Sequence, residues 1–156
     1  MTERTITHGS FTLERQYPAA VARVYKALSD PASKKKWFEA PETWQKDVHQ
    51  MDFRIGGRET SIGGPPGGPV IKFEAIYYDI VPNERIVYSY DMLVGEKRIS
   101  VSLASFELKP EGDGTRLILT EHGAYLDGSE DGSERKRGTA GLLDKLGAYL
   151  TREMAN

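Results

Sequence analysis

Cysteine is absent from this chain of 156 residues, and histidine occurs only three times. The lack of cysteine excludes disulfides, thiolate metal sites and a cysteine nucleophile. It is also compatible with a reducing cytoplasm. The histidines, His8, His49 and His122, are far apart and show no ligand-like spacing. We therefore expect the chain to fold without a metal or a cofactor.

A strong charge imbalance and a long apolar run are also missing. The formal net charge is −2, so the chain carries no large field that would attract nucleic acid or an anionic membrane. No apolar run approaches about 18 residues, the length that a membrane-spanning helix needs, and the first residues contain no apolar signal core. We expect a cytoplasmic protein that binds neither nucleic acid nor a membrane.

Two segments resemble ligand motifs but lack decisive residues. The glycine- and proline-rich stretch 63–69 has no Gly-Lys-Ser/Thr and lies between predicted strands, so it does not form a phosphate loop. Asp127, Ser129 and Asp131 match the first, third and fifth positions of a calcium loop. Gly138 stands where that loop needs its bidentate glutamate, so a solvated loop is favoured.

What the chain does contain is a long series of strand-like segments between helices. Alternating apolar and polar residues predict strands over 10–17, 48–55, 58–62, 70–80, 86–92, 98–108 and 116–122. A first helix is predicted from Pro18, a second short helix ends at Trp37 and Phe38, and Trp44 is expected in the loop that follows. Residues 133–156 form an amphipathic terminal helix, whose apolar stripe includes Leu142, Leu143, Leu146 and Leu150.

This order of elements predicts an α+β domain. Antiparallel strands joined by short turns leave one face of the sheet to be covered, and only the terminal helix is long enough to cover it. We expect a curved antiparallel sheet of about six or seven strands around that helix, with two short helices after the first strand. A single domain is expected over 1–156, with its core at about 10–152 and a loose segment at 1–9.

Three glycines interrupt the terminal helix, namely Gly138, Gly141 and Gly147. Each costs about 0.5–1 kcal/mol relative to alanine in a helix. Gly138 lies one turn before Leu142 and so shares the apolar face. The helix therefore either approaches the sheet closely at this point or leaves space beneath it.

The chain is similar to the START-like superfamily, whose fold is the helix-grip fold. More narrowly, it resembles the bacterial single-domain members of the branch related to the activator of the heat-shock-protein-90 ATPase. The similarity covers roughly residues 10–152. The segments that carry it are Glu14-Arg15 with Pro18-Ala19, 28–31 running to Trp37-Phe38, 52–57, 78–88, 114–117 and 141–146.

The resemblance implies a fold with an internal cavity and, for most bacterial members, no settled activity. Members of the branch often carry a Gly-Trp pair at the start of the terminal helix, but here Gly138 is followed by Thr139. A threonine in place of the indole leaves more room beneath the helix or lets the helix lie closer. The activators of the chaperone ATPase also carry a further N-terminal domain, for which we see no room in this chain.

Candidate ligand contacts follow from the predicted faces of these elements. Trp37 and Phe38 either close the end of the core or form one wall of a cavity mouth, since pockets are typically lined by aromatic residues. The adjacent lysines 34–36 are expected to form a solvated helix face. The full set of expected ligand-binding residues is Trp37, Phe38, His49, Met51, Phe53, Tyr88, Tyr90, Met92, Glu121, Thr139, Leu142, Leu143 and Leu146.

Glu121 is the best single candidate for a polar anchor or a general acid/base. It shares strand parity with Leu117 and Leu119, so its side chain is expected to face the terminal helix. Little positive charge is expected there, and burial without a partner raises the pKa of a carboxyl group. The alternative is a salt bridge at the end of the strand.

The sequence leaves three functions open. The leading one is binding of a hydrophobic or amphipathic small molecule between the sheet and the terminal helix. The second is a cyclase- or dehydratase-like enzyme in which Glu121, His49 and a tyrosine supply the acid/base groups. The third is a co-chaperone-like regulator of a heat-shock ATPase, and the open partners besides a ligand are a second copy of the chain and a chaperone.

Overall fold

The computed structural model describes residues 4–38 and 45–155 of the chain. Within them, one strand is followed by two short helices, six strands and a long helix, which is the order expected for an α+β domain. The strands are β1 (Ile6–Tyr17), β2 (Gln45–Met51), β3 (Arg58–Gly64), β4 (Ile71–Val81), β5 (Arg85–Val94), β6 (Lys97–Glu111) and β7 (Gly114–Leu126). The helices are α1 (Val21–Ser29), α2 (Pro31–Trp37) and α3 (Ser133–Ala155).

The described strands form one antiparallel sheet in the order β1-β7-β6-β5-β4-β3-β2. Every pair of neighbouring strands except β1 and β7 is consecutive in the chain. Strands β2 to β7 therefore form a meander, and β1 pairs with β7 at one edge of the sheet. Turn residues with positive φ allow the tight hairpins: Asn83 between β4 and β5, Gly95 between β5 and β6, and Gly112 between β6 and β7. The predicted turn at 111–114 is confirmed.

Aspartate side chains bond to the first turns of two helices. Asp30 is the N-cap of α2, and its carboxylate accepts hydrogen bonds from the Ser33 amide at 3.1 Å and the Ser33 hydroxyl at 2.8 Å. Asp131 accepts in the same way from Ser133 at the start of α3. None of the described helices is both long and apolar enough to cross a membrane.

Several element ends differ from the sequence expectation. β1 begins at Ile6, because residues 6–9 pair with the end of β7, and they are therefore part of the sheet. β2 ends at Met51, because the chain then bends through 52–57, where the Asp52 amide bonds to the Arg58 carbonyl and Gly56 has a φ of +83°. α1 starts at Val21, since the Ala20 carbonyl accepts its first helical bond.

The core lies between the inner face of the sheet and helices α1 and α3. From α3 it takes the buried side chains of Leu143, Leu146 and Leu150, which belong to the same apolar cluster as Leu117 and Leu119 of β7. This is the packing that the terminal apolar stripe predicts. It covers only part of the inner face, and the first turns of α3 lie over a cavity.

Candidate functional site

A cavity of about 730 Å³ lies beneath the first turns of α3, against the inner face of the sheet and helix α2. This volume is in the range of small-molecule sites, roughly 300–1,000 Å³. Ten of the thirteen expected ligand-binding residues line it. They are Trp37, Phe38, His49, Tyr88, Tyr90, Met92, Glu121, Thr139, Leu142 and Leu143.

The other three expected residues lie elsewhere. Leu146 is fully buried in the core, one turn of α3 beyond the cavity-lining leucines. Met51 and Phe53 are half-buried and pack against the core but do not line the cavity. Phe53 follows the end of β2, so strand parity does not apply to it, and its ring packs 4.9 Å from that of Tyr77.

The glycines of α3 show where the helix leaves space and where it packs closely. A Cβ added at Gly138 would meet nothing within 4 Å, and this residue lines the cavity. A Cβ at Gly147 would lie 3.1 Å from the Tyr17 ring, whose hydroxyl is fixed by a 2.7 Å bond to the Leu143 carbonyl. The helix is thus lifted from the sheet at its start and packed tightly two to three turns later.

Glu121 lies at one end of the cavity in a buried polar group that we call the Glu121 cluster, formed by Tyr90, Ser100, Glu121, Glu130 and Arg135. Glu121 is 2% exposed, and the Tyr90 hydroxyl donates to its Oε1 at 2.5 Å. Burial raises the pKa of Glu121, while the Tyr90 hydrogen bond and the Arg135 charge act in the opposite direction. The expectation that this carboxyl has no partner is therefore wrong: Tyr90 is its partner.

Arg135 holds the Glu121 cluster together from α3. Its guanidinium donates to the Tyr90 hydroxyl at 3.2 Å, to Ser100 at 2.8 Å and to Glu130 at 2.8 Å. It also lies over the rings of Tyr90 and Tyr125 at 5.6 and 5.5 Å. Within the described part of the chain, Glu130 Oε1 is buried without a hydrogen-bond partner, so the cluster retains acceptor capacity.

A second buried group, the Glu59 cluster, consists of Lys34, His49, Glu59 and Tyr77. Glu59 is 1% exposed and accepts from Lys34 Nζ at 2.6 Å, from His49 Nε2 at 2.9 Å and from the Tyr77 hydroxyl. Burial alone would raise the pKa of Glu59, but the Lys34 charge and these three hydrogen bonds outweigh it and lower the pKa to about 2. Glu59 is therefore ionised at neutral pH.

Aromatic rings connect the two clusters along the cavity wall. Phe38 lies 6.1 Å from His49 and 5.4 Å from Phe73, and Phe73 lies 5.1 Å from Tyr90. Tyr88 stands beside this row, 6.0 Å from Tyr90. The wall is therefore apolar and aromatic between two polar ends, which favours a flat or elongated ligand.

Trp37 both belongs to the core and lines the cavity. It is 4% exposed, and its indole nitrogen donates to the Ala27 carbonyl at 2.8 Å. The two interpretations of this residue, core closure and cavity wall, are thus compatible. Trp44 lies outside the described residues.

Sequence reasoning missed the Glu59 cluster. Lysines 34–36 were expected to face solvent, but Lys34 is buried against Glu59, while Lys35 and Lys36 are exposed. No spacing rule connects a lysine in α2 with a glutamate in β3, so only the fold brings them together. Arg135 did leave a signal, because it precedes Thr139 by one helical turn and therefore shares its face.

The described residues contain no group of three or more side chains suited to hold a metal ion. The calcium-like loop is used differently. Asp127 accepts from the Thr5 amide and from Arg4, both at 3.1 Å. Asp131 caps α3, so both carboxylates have protein partners.

Residues 18–151 match the family described as Activator of Hsp90 ATPase homolog 1-like protein. The chain belongs to this family. The match spans strands β2 to β7, helices α1 and α2 and most of α3, and it agrees with the resemblance and the helix-grip fold inferred from the sequence. No curated protein matches the chain.

Three solved structures similar to this member of the Hsp90-activator-like family come from bacteria. An uncharacterized protein from Rhizobium leguminosarum is 40% identical, with a TM-score of 0.92, covering 97% of this chain and 99% of its own. The Mll3558 protein from Rhizobium loti is 42% identical, with a TM-score of 0.87, covering 93% and 99%. CalU16 from Micromonospora echinospora is 24% identical with a TM-score of 0.62, covering 99% and 89%, and supports the fold alone.

Proposed function

We propose that the protein binds an uncharged, amphipathic small molecule with an apolar body in the cavity beneath α3. The observation that carries this proposal is the cavity of about 730 Å³, with an aromatic wall and a polar cluster at each end. An apolar wall of aromatic and aliphatic side chains stabilises a bound apolar body by removing its surface from water, at roughly 25 cal/mol per Å². The polar ends can then fix its orientation.

The charges in the cavity favour an uncharged ligand. Lys34 is paired with Glu59, and Arg135 is paired with Glu130 at 2.8 Å. Burial raises the pKa of Glu121, which favours its neutral form. An ionic ligand would therefore enter an apolar space whose buried charges already have partners, which is costly. The other charged residues of the lining, Lys35 and Glu134, are exposed to solvent.

A fluorescent, uncharged probe tests the proposal. N-phenylnaphthylamine emits strongly in apolar surroundings, and bound in the cavity it should quench Trp37 by energy transfer. We expect saturable binding, with a smaller quenching of the tryptophan emission in Trp37→Phe than in the wild type, because Trp37 lines the cavity. Saturable binding with the same quenching amplitude in both proteins would place the ligand away from Trp37 and this cavity, and absence of binding would contradict the proposal.

An enzyme of the cyclase or dehydratase kind is the second candidate, because the pKa of Glu121 is raised and its side chain lines the cavity. In that case Glu121→Gln abolishes turnover of a hydroxylated aromatic substrate and leaves its binding intact. In a binding protein the same substitution changes affinity alone. The Tyr90 hydroxyl, which already donates to Glu121, favours an anchoring role.

The family description names an activator of a chaperone ATPase, and a chaperone partner is the third candidate. The geometry of the cavity gives it no specific support. A second copy of the chain as partner and a cytoplasmic location likewise stay predictions from the sequence.

A further inference from the structure

The Glu59 cluster contains more than a structural ion pair, because one of its members, His49, lines the cavity. Glu59 is ionised and can only accept hydrogen bonds, so the 2.9 Å contact requires His49 Nε2 to carry the proton. In the neutral imidazole the other nitrogen, Nδ1, then holds a lone pair. Nδ1 makes no hydrogen bond to any described residue.

The position of the imidazole is fixed from several sides. Lys34 of α2 and Tyr77 of β4 both bond to Glu59 Oε1, which leaves Oε2 for His49. Four elements of the fold thus meet at one carboxylate, and the ring of Phe38 packs 6.1 Å from the imidazole. A base whose tautomer and orientation are set by a buried carboxylate is the arrangement that enzymes use for proton abstraction.

The cavity also offers a hydrogen-bond donor for a developing negative charge. Tyr88 lines it, and its hydroxyl makes no hydrogen bond to any described residue. Burial keeps the pKa of this phenol well above its ordinary value, so the hydroxyl retains its proton and donates. A donor in an apolar site stabilises an oxyanion more than a donor in water does.

We propose that His49, oriented by Glu59, is a general base for ketones bound in the cavity and abstracts a proton from the carbon beside the carbonyl group. This inference rests on the proposed function, since the ketone must first bind there. The proton moves from carbon to Nδ1, and the electron pair of the C–H bond forms a carbon–carbon double bond. The carbonyl π pair moves to oxygen, which accepts a hydrogen bond from Tyr88.

The step reverses when the imidazolium returns a proton to the same carbon. In deuterium oxide the Nδ1 proton exchanges with solvent, so deuterium is returned instead. The net reaction replaces hydrogen with deuterium and consumes no oxidant, reductant or co-reactant. The substrate class is therefore an uncharged aromatic ketone with an adjacent C–H bond.

The experiment uses α-tetralone in deuterium oxide, with proton NMR following the signal of the methylene group next to the carbonyl. We expect exchange with the wild-type chain to exceed that with His49→Gln by about a hundredfold, the lower range for general-base catalysis. Glutamine keeps a donor to Glu59, so it removes the base and not the packing. His122→Gln is the matched control, because His122 is exposed on the outer face of the sheet. We expect this variant to catalyse exchange at the wild-type rate.

Two further variants separate the role of Tyr88 as a hydrogen-bond donor from that of Glu59, which orients His49. Tyr88→Phe should lower the exchange rate while α-tetralone still displaces N-phenylnaphthylamine. Glu59→Gln should lower it and also change the imidazole nitrogen shifts of His49 in heteronuclear NMR, because the tautomer is no longer fixed. If Glu59→Gln does not fold, the exchange rates of His49→Gln and Tyr88→Phe still test the proposed base and donor.

Displacement of N-phenylnaphthylamine by α-tetralone with no exchange above the His49→Gln rate overturns the proposed base. Failure of α-tetralone to displace the bound probe overturns the ketone class and leaves the proposed binding function intact. Failure of the probe itself to bind overturns the binding function, and this inference with it.

Discussion

Two glutamates are buried on the inner face of the sheet, and their neighbours give them opposite ionisation behaviour. Glu59 accepts three hydrogen bonds and faces the Lys34 charge, so its pKa is lowered to about 2. Glu121 receives one hydrogen bond from Tyr90, and burial dominates, so its pKa is raised. Glu59 is thus a fixed structural anion, whereas Glu121 is the carboxyl whose charge can change near the ligand.

Glu59→Gln is expected to cost about 3–5 kcal/mol of unfolding free energy at neutral pH, because it leaves Lys34 buried without its counter-charge. The double variant Lys34→Met/Glu59→Gln should recover most of this loss. Urea unfolding measures both. A loss below about 1 kcal/mol, the range of exposed ion pairs, would contradict the burial of this pair.

The lowered pKa of Glu59 also sets a pH window. The stability contributed by its charge is fully present above the ordinary carboxyl value of 4.5 and is lost as the pH falls towards about 2. Glu59→Gln should therefore lower the free energy of unfolding most at pH values above 4.5. Its difference from the wild type should shrink as the pH falls from 4.5 towards about 2.

Glu121→Gln is expected to act with the opposite sign. Because the folded protein holds the Glu121 proton more tightly than the unfolded chain, the wild type loses stability as the pH rises above the ordinary carboxyl value. A neutral glutamine removes this loss, so the variant gains relative to wild type at neutral pH and the gain vanishes in acid. Thermal unfolding across this range measures the difference, and a constant difference would contradict the raised pKa.

At the scale of elements, α3 combines two kinds of contact. Its first turns lie over the cavity at Gly138 and Thr139, and its middle packs on Tyr17 at Gly147. Gly147 is therefore the only glycine of α3 at which close packing favours the absence of a side chain. At Gly138 and Gly141 a Cβ would meet nothing within 4 Å, so these residues weaken the helix without a packing reason.

Substituting alanine at these positions should separate the two effects. Gly138→Ala and Gly141→Ala should each stabilise the protein by about 0.5–1 kcal/mol, the gain in helix propensity. Gly147→Ala should give no gain, because its Cβ would lie 3.1 Å from a buried ring that is held by Leu143. Equal gains at all three positions in chemical unfolding would show that α3 is not packed closely on Tyr17.

At the scale of the whole molecule, local patterns predicted the elements, and the fold created the site. Alternation and turn residues were sufficient for the meander, because short turns join its consecutive strands, and strand parity was sufficient for the burial of Glu121. The hydrogen bond from Tyr90 to Glu121 was not predictable in the same way, since Tyr90 lies on another strand. The Glu59 cluster was missed because its members are at least ten residues apart in sequence and only meet through β-sheet register and the docking of α2.

The space beneath α3 is the ligand site that we propose. Thr139→Trp tests it most directly, because Thr139 lines the cavity and an indole there would occupy the space. Ala148→Trp is the matched control, since Ala148 is exposed on the same helix. Each variant is titrated with N-phenylnaphthylamine, with the probe emission excited directly, and its melting temperature is recorded.

We expect the wild type and Ala148→Trp to bind the probe equally, and Thr139→Trp to bind it at least about tenfold more weakly, or 1.4 kcal/mol, while staying folded. Undiminished binding by a folded Thr139→Trp would contradict the assignment of the cavity as the ligand site.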